Sequence, residues 1–416
     1  MNSIQKLHAR EILDSRGNPT IELEMTLSDG LKAWSSVPSG ASTGKHEAHE
    51  LRDGGERMNG KGVRKAIENI HDIIAPAIIG MSPCDQRAID EKMIALDGTP
   101  NKSQLGANAM LAVSLVVARL GAMQNKKKLY QYIAELGNRE AQMTRPFFNV
   151  INGGKHAGNT LPFQEFMISP NTDSYAKNYE IAAEVYAQLK KNLKKKFGGA
   201  ATLLGDEGGF APDHIEKPEE VLDLLMEAIR DAGHEGKVDF ALDVAASEFY
   251  EDGAYNLGFK TGEKDMKTVD EMIAIYTALV ERYPIISIED PFDEEDFEAF
   301  ARLRALLEEK NVQVVGDDLT VTNPQRIQQA IEKKSCNALL LKINQIGTVS
   351  EAMDAFALAK SDGWKVMVSH RSGETTDDFI ADFAVGTGAE QVKFGAPARG
   401  ERVVKYNRLL AIDETL

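Results

Sequence analysis

Between Val238 and Lys393 an apolar run ends six times in a charged or polar residue, and this recurrence constrains the chain more than any other feature. The runs are Val238-Asp-Phe-Ala-Leu-Asp243, Ile285-Ile-Ser-Ile-Glu289, Val312-Gln-Val-Val-Gly-Asp317, Ala338-Leu-Leu-Leu-Lys342, Lys365-Val-Met-Val-Ser-His370 and Gln391-Val-Lys393. Each is short enough for a strand, and the stretches between them carry helical periodicity, as in Glu298-Ala-Phe-Ala-Arg-Leu-Arg-Ala-Leu-Leu307. A strand, a loop and a helix of about three turns take roughly 25 to 30 residues, so the pattern is a βα repeat with parallel strands. Continuous apolar runs mean strands buried on both faces. Parallel strands end on one side, so the acids Asp243, Glu289 and Asp317 meet Lys342, His370 and Lys393 there. In a (β/α) barrel that face carries the chemistry. One charge after a buried strand is ordinarily the first solvated residue of a loop; six at successive strand ends resist that reading.

A chain of 416 residues exceeds what one core usually supports, so two domains are expected, one of them a barrel of about 250 residues. The net charge of −16 argues against non-specific binding of nucleic acid or acidic membranes, so any anionic substrate must be attracted locally. Cys84 and Cys336 make no disulfide framework or zinc motif. The polar N-terminus and the shortness of the aliphatic stretch Leu111–Ala118 lead to the expectation of a cytosolic protein without a membrane span.

Ile4–Ile12, Thr20–Leu27 and Leu31–Val37 read as an antiparallel meander. Val37-Pro-Ser-Gly-Ala-Ser-Thr-Gly44 reads as a mobile loop; it lacks the Gly-Lys-Ser/Thr ending of a phosphate-cradling loop and fits a lid carrying a serine ligand. Helices are expected over Gly62–Ile79, Asp85–Leu96 with Asp85 as N-cap, and Gly106–Gly121, the last buried. This α+β domain ends between Lys126 and Pro146. Pro146–Ile151 and Glu165–Ser169 then precede a helix over Ser174–Lys196, two strands before the first helix pair.

Asp243, Glu289 and Asp317 form an all-oxygen site suited to Mg²⁺ or Mn²⁺, or else a hydrogen-bonded acidic rim. Lys342 ends an apolar run, where desolvation and nearby cations would disfavour its charged form and make it a general base; the alternative is an ion pair with Asp317 or Glu289. Arg371, Ser372 and Lys393 suit an anion with several oxygens, or salt bridges within the rim. Asp206 and Glu207 lie on the turn Gly205-Asp-Glu-Gly-Gly-Phe210, where backbone can approach a ligand. His156 and Glu165 stand on the early barrel loops, and a protonated acid here could oppose the lysine.

The chain resembles the enolase family over essentially its whole length. The resemblance rests on Ala9-Arg-Glu-Ile-Leu-Asp-Ser-Arg-Gly-Asn-Pro-Thr20, Ser39-Gly-Ala-Ser-Thr-Gly44, Gly205-Asp-Glu-Gly-Gly-Phe-Ala-Pro212, Ala241-Leu-Asp-Val-Ala-Ala-Ser-Glu248, Ser287-Ile-Glu-Asp-Pro-Phe292, Gly316-Asp-Asp318, Asn344-Gln-Ile-Gly347 and Ser369-His-Arg-Ser-Gly-Glu-Thr375. It implies an α/β chain, with an N-terminal α+β capping domain (1–135) before a (β/α)8 barrel with a ββαα start (140–416). It also implies reversible dehydration of 2-phospho-D-glycerate to phosphoenolpyruvate, a glycolytic hydro-lyase reaction with two Mg²⁺ per site. By the same resemblance Lys342 is the base at C2 and Glu207 the acid at C3. Asp243, Glu289 and Asp317 hold one Mg²⁺, and Ser42 helps a second. Arg371 and Ser372 bind phosphate, with Gln164, His156, Glu165, Ser369, His370 and Lys393 completing the pocket. A homodimer or octamer is implied, and a surface or secreted form by analogy. Ile343 and Phe394 depart from the family pattern beside the two lysines. A sugar-acid dehydratase or racemase of the same superfamily would lack the Ser-Gly-Ala-Ser-Thr-Gly loop and His-Arg-Ser, and a purely structural relative would have lost site residues.

Overall fold

A computed structural model describes residues 2–41, 44–213 and 215–416. Strands β1 (Ile4–Leu13), β2 (Pro19–Leu27) and β3 (Lys32–Ser36) form the expected meander, hydrogen-bonded in the order β1-β2-β3. Alternation sets its inner face, where Ile21, Leu23, Met25 and Leu27 are fully buried against helix Ala107–Gln124. The stretch Leu111–Ala118 is part of an 18-residue helix that by length and composition alone could cross a bilayer. Since 83% of it is buried in the fold, it is a core helix.

The next helical span runs from Arg64 to Ile78 with a π turn over Ile70–Ile74. Asp85 stands at the N-cap of Gln86–Asp97, but its side chain caps nothing; φ −93° and ψ 50° depart from the extended geometry that aims a capping oxygen at the helix amides. Helix Leu129–Leu136, in a region that reads as connecting loop in sequence, packs on barrel helix Phe379–Thr387. Their backbones nearly touch: a methyl on Gly386 would lie 2.5 Å from Tyr130 O and 2.7 Å from Ile133 Cβ. Gly386→Ala is therefore expected to cost about 1–3 kcal/mol by overpacking, read as a lowered Tm in calorimetry.

The barrel begins with β4 (Arg145–Asn152), β5 (Glu165–Pro170) and β6 (Val238–Asp243). The long interval after Asp243 holds a separate small sheet of β7 (Tyr250–Glu251), β8 (Ala254–Asn256) and β9 (Met266–Lys267). Then follow β10 (Ile285–Glu289), β11 (Gln313–Gly316), β12 (Ala338–Leu341), β13 (Lys365–Ser369) and β14 (Gln391–Lys393). These last five close with β4, β5 and β6 into a barrel. Only β5 runs antiparallel to its barrel neighbours, and helices Tyr175–Phe197 and Pro218–Asp231 follow it, giving the ββαα start.

Period-two alternation then builds the barrel interior in layers. Gln313 and Gln391 exchange hydrogen bonds near one end, and Gln313 Nε2 also donates to Ser287. Phe147, Met167, Ala241, Val315, Ala338, Leu340 and Met367 fill the middle. Two residues beyond Phe147, Ala241, Val315, Leu340 and Met367 come Asn149, Asp243, Asp317, Lys342 and Ser369, while Glu289 and Lys393 stand two residues beyond Ser287 and Gln391. Because β5 runs the other way, it delivers its charge at its first residue, Glu165, instead of its last.

Candidate active site

Strand register sets Glu165, Asp243 and Glu289 side by side, as Glu165 pairs with Asp243 and Glu289 with Asp243 across three adjacent strands. Lys393 reaches all three acids from β14: its Nζ lies 2.8 Å from both Glu289 oxygens, 3.2 Å from Asp243 Oδ2 and 3.3 Å from Glu165 Oε2. Burial would lower the pKa of this ammonium, but Glu165, Glu289 and Asp243 raise it well above the usual lysine range. The anion-binding role expected for Lys393 is thus joined by a second one, neutralising the acids around it.

Asp317, on the loop after β11, has its amide bonded to Asp290 at 2.9 Å. Asp290 also accepts from the Asp318 amide at 2.8 Å, and adopts φ 41°, a left-handed conformation uncommon away from glycine. Lys342 pairs with Asp317. Burial lowers the Lys342 pKa, but Asp317 prevails and raises it above the usual lysine value. Of the two readings of this lysine, the structure shows the ion pair with Asp317, which favours the charged form. Gln345 Nε2 donates to the other Asp317 oxygen at 2.9 Å.

Arg371 makes a two-point pair with Glu47, at 2.9 and 3.1 Å, and donates to Asn344 at 3.1 Å. Glu47 follows the glycine-rich loop, whose Ser42 lies outside the described residues. The beginning of that loop is pinned to the barrel, because Ser39 and Gly373 exchange backbone hydrogen bonds of 2.7 and 2.9 Å.

Glu207 sits in a turn closed by Gly205 N to Gly209 O at 2.8 Å. Two of its glycines are required by neighbouring protein: a methyl on Gly209 would lie 2.6 Å from Asn152 Oδ1, and one on Gly205 2.6 Å from His156 O. Asn149 Nδ2 donates to Glu207 Oε2 at 3.0 Å, with His370 Nε2 3.3 Å from the same oxygen and His156 Nδ1 3.6 Å from Oε1. Burial alone would raise Glu207, yet His370, His156 and Arg402 hold it well below the usual carboxylate range. Both histidines are themselves depressed, chiefly by burial, His370 to about 3. Burial thus biases both rings toward their neutral forms where they face Glu207. Glu165 is the opposite case, pushed well above the carboxylate range by burial and by Glu207. Of the two early acids, Glu165 is the one biased toward its protonated form and Glu207 the one biased toward its ionised form.

One cavity is lined by His156, Gln164, Glu165, Glu207, Asp243, Asp317, Lys342, Ser369, His370, Arg371, Ser372 and Lys393. Among the described residues, His156 Nδ1 and Gln164 Oε1 are buried without a hydrogen-bond partner and His370 Nε2 has only the 3.3 Å approach to Glu207 Oε2, a concentration expected where a polar ligand binds. Glu289 lies just beneath this lining, 1% exposed. Ile343 and Phe394 point into the core: Phe394 is fully buried with its ring 5.7 Å from that of Tyr406.

The donor set suits a divalent cation. Asp243, Glu289 and Asp317 are buried, and Glu289 is pushed well above the carboxylate range by burial, then by Asp243, with Asp317 adding to it. Hard oxygens with surplus negative charge are what Mg²⁺-type ions relieve. Among the described residues two groups bring ligand atoms within 4.8 Å of one another, His156–Glu165–Glu207 and Asp290–Asp317–Asp318; Asp243 and Glu289 belong to neither. Glu47, Asn149, Asp290, Gln345 and Arg402 received no role from sequence; of these Asp290 and Gln345 carried a signal, inside the motifs Ser287-Ile-Glu-Asp-Pro-Phe292 and Asn344-Gln-Ile-Gly347.

Comparison with known proteins covers the whole chain. A family model described as the enolase N-terminal domain matches residues 4–133, and one described as the enolase C-terminal TIM barrel domain matches residues 140–416. A curated enolase of Solanum lycopersicum is 52% identical over 428 aligned residues, covering 100% of this chain and 96% of that protein. One of Eimeria tenella is 54% identical over 432, with the same coverage of each.

Proposed function

We propose a role for each site residue from one premise: the chain belongs to the enolase family, and its activity is the hydro-lyase reaction that interconverts 2-phospho-D-glycerate and phosphoenolpyruvate in glycolysis. With family membership come metal dependence and a phosphorylated small-molecule substrate. The metal is Mg²⁺, two per site, the first held by Asp243, Glu289 and Asp317 and the second assisted by Ser42. Bound there, Mg²⁺ supplies Lewis-acid stabilisation of charge developing on the substrate carboxylate. Arg371 and Ser372 bind the phosphate, with the guanidinium leaving Glu47 for the substrate. Lys342 and Glu207 act as base and acid at C2 and C3. Gln164, His156, Glu165, Ser369, His370 and Lys393 complete the pocket.

The observation that carries this reading is the convergence of Lys342, Glu207 and Arg371 on one cavity with the acids of adjacent strands. The free-state protonation, Glu207 ionised and Lys342 charged, is the one hydration of phosphoenolpyruvate requires: the carboxylate takes a proton from water while the ammonium delivers one to C2. Dehydration uses the opposite states. A cation held by Asp317 would take from Lys342 the partner that holds its proton, and the anionic substrate would raise Glu207.

The direct test is the absorbance of phosphoenolpyruvate formed from 2-phosphoglycerate; no absorbance change in saturating Mg²⁺ would overturn the reading. Excess chelator should abolish turnover and added Mg²⁺ restore it, since three clustered acids repel one another until neutralised. Undiminished turnover in chelator would refute the metal assignment. We also propose domains at 1–135 and 140–416, a cytoplasmic location, and a homodimer with an octamer as the alternative, which sedimentation separates.

A further inference from the structure

Helix Gly400–Asp413 starts beneath the site, and Arg402 in its first turn is fully buried. Its guanidinium donates to acceptors from three other segments. Nη1 bonds Arg371 O at 2.5 Å and His370 Nδ1 at 2.6 Å. Nη2 bonds Ser372 O at 2.6 Å, Asp206 O at 3.1 Å and Ser15 Oγ at 3.4 Å.

A guanidinium is donor-only and keeps its protons throughout the working pH range. Nδ1 of His370 must then be the bare, accepting nitrogen, which leaves the ring proton on Nε2. That nitrogen is the one 3.3 Å from Glu207 Oε2. The same guanidinium holds the carbonyl of Asp206, the residue just before Glu207. One side chain thus sets both the ring that faces Glu207 and the backbone that carries it.

We infer that Arg402 is a positioning residue for the C3 half of the reaction: it fixes the Nε2–H tautomer of His370 and aligns Glu207 with that donor. The inference rests on the roles proposed above for Glu207 and His370. A merely structural arginine would cap the carbonyls of Asp206, Arg371 and Ser372 without any bearing on the imidazole. Arg402→Lys separates the two cases, since one ammonium keeps the charge but lacks the planar fork that spans ring and carbonyls.

The test uses the full chain with ¹⁵N-labelled histidine, the His370 signal being assigned by its loss in His370→Gln. In the unaltered chain His370 should show a bare Nδ1 and a protonated Nε2. In Arg402→Lys the fixed tautomer should be lost and phosphoenolpyruvate formation should fall about 10²-fold, as for a misaligned catalytic group. Exchange of the C2 proton, which uses Lys342, should fall far less. A proton on Nδ1 in the unaltered chain overturns the proposal, as does a folded Arg402→Lys chain that keeps the Nε2–H signature. Should that variant not fold, a second pair decides: His370→Gln, whose amide nitrogen can stand in for Nε2–H, should retain more dehydration activity than His370→Glu, which has no donor. Equal loss in both overturns the proposal. If the unaltered chain fails to turn over 2-phosphoglycerate, the functional reading falls while the tautomer measurement still judges Arg402.

Discussion

Lys342→Ala should neither exchange the C2 proton of 2-phosphoglycerate with deuterated solvent nor form phosphoenolpyruvate. Glu207→Gln should keep the exchange and lose the product. Both follow from placing the two groups on different bonds of one substrate. If proton removal at C2 precedes loss of the C3 hydroxyl, a chain lacking only the acid still reaches the deprotonated intermediate and returns it. An amide cannot then supply the proton the departing hydroxide needs, whereas without Lys342 nothing accepts the first proton. Each loss should be ~10² to 10⁴-fold, the usual contribution of a general acid or base. The two will not add, because residues acting as a unit are not additive. NMR of 2-phosphoglycerate in D₂O is the measurement. Exchange that survives in Lys342→Ala and vanishes in Glu207→Gln would mean the roles are reversed.

Lys393→Met should combine loss of activity with a large loss of stability in the cation-free protein. Its ammonium is 2% exposed and lies within 3.3 Å of Glu165, Asp243 and Glu289. Removing one partner of a buried ionic group leaves uncompensated charge, at a cost of about 3–5 kcal/mol. The sign with pH can be worked out. The Lys393 pKa is raised on folding, so its stabilisation is complete below the unfolded lysine value and is lost only as pH rises through the higher folded one. At neutral pH the whole contribution is therefore removed by the substitution. In the variant the deficit should shrink as pH falls, because Glu165 and Glu289, already raised by burial, take up protons and cease to be unpaired charges. Thermal unfolding in chelator at several pH values reads this out. A deficit that grows toward acid pH would show that Lys393 does not neutralise these acids.

Sequence alone determined which residues crown the barrel, since that information is local. An apolar run followed by Asp243, Glu289, Asp317 or Lys342 declares a buried strand and its end within a handful of residues, and parallel strands bring such ends to one side without any knowledge of packing. The small domain's sheet was legible for the same reason, through the alternation of Ile21, Leu23, Met25 and Leu27. Glu165 was less so: the rule of a charge at the end of a strand misses an antiparallel strand that presents its charge first. Helix Leu129–Leu136 escaped notice because its apolar face is completed by a barrel helix some 250 residues further along the chain. Only the tertiary structure decided which charge meets which. Lys342 on Asp317, Arg371 on Glu47, Lys393 among three acids and Arg402 on His370 all join segments brought together by barrel closure and domain docking. Ion pairing and protonation depend on distance and burial at a few ångströms, and a linear sequence carries neither until the chain has closed upon itself.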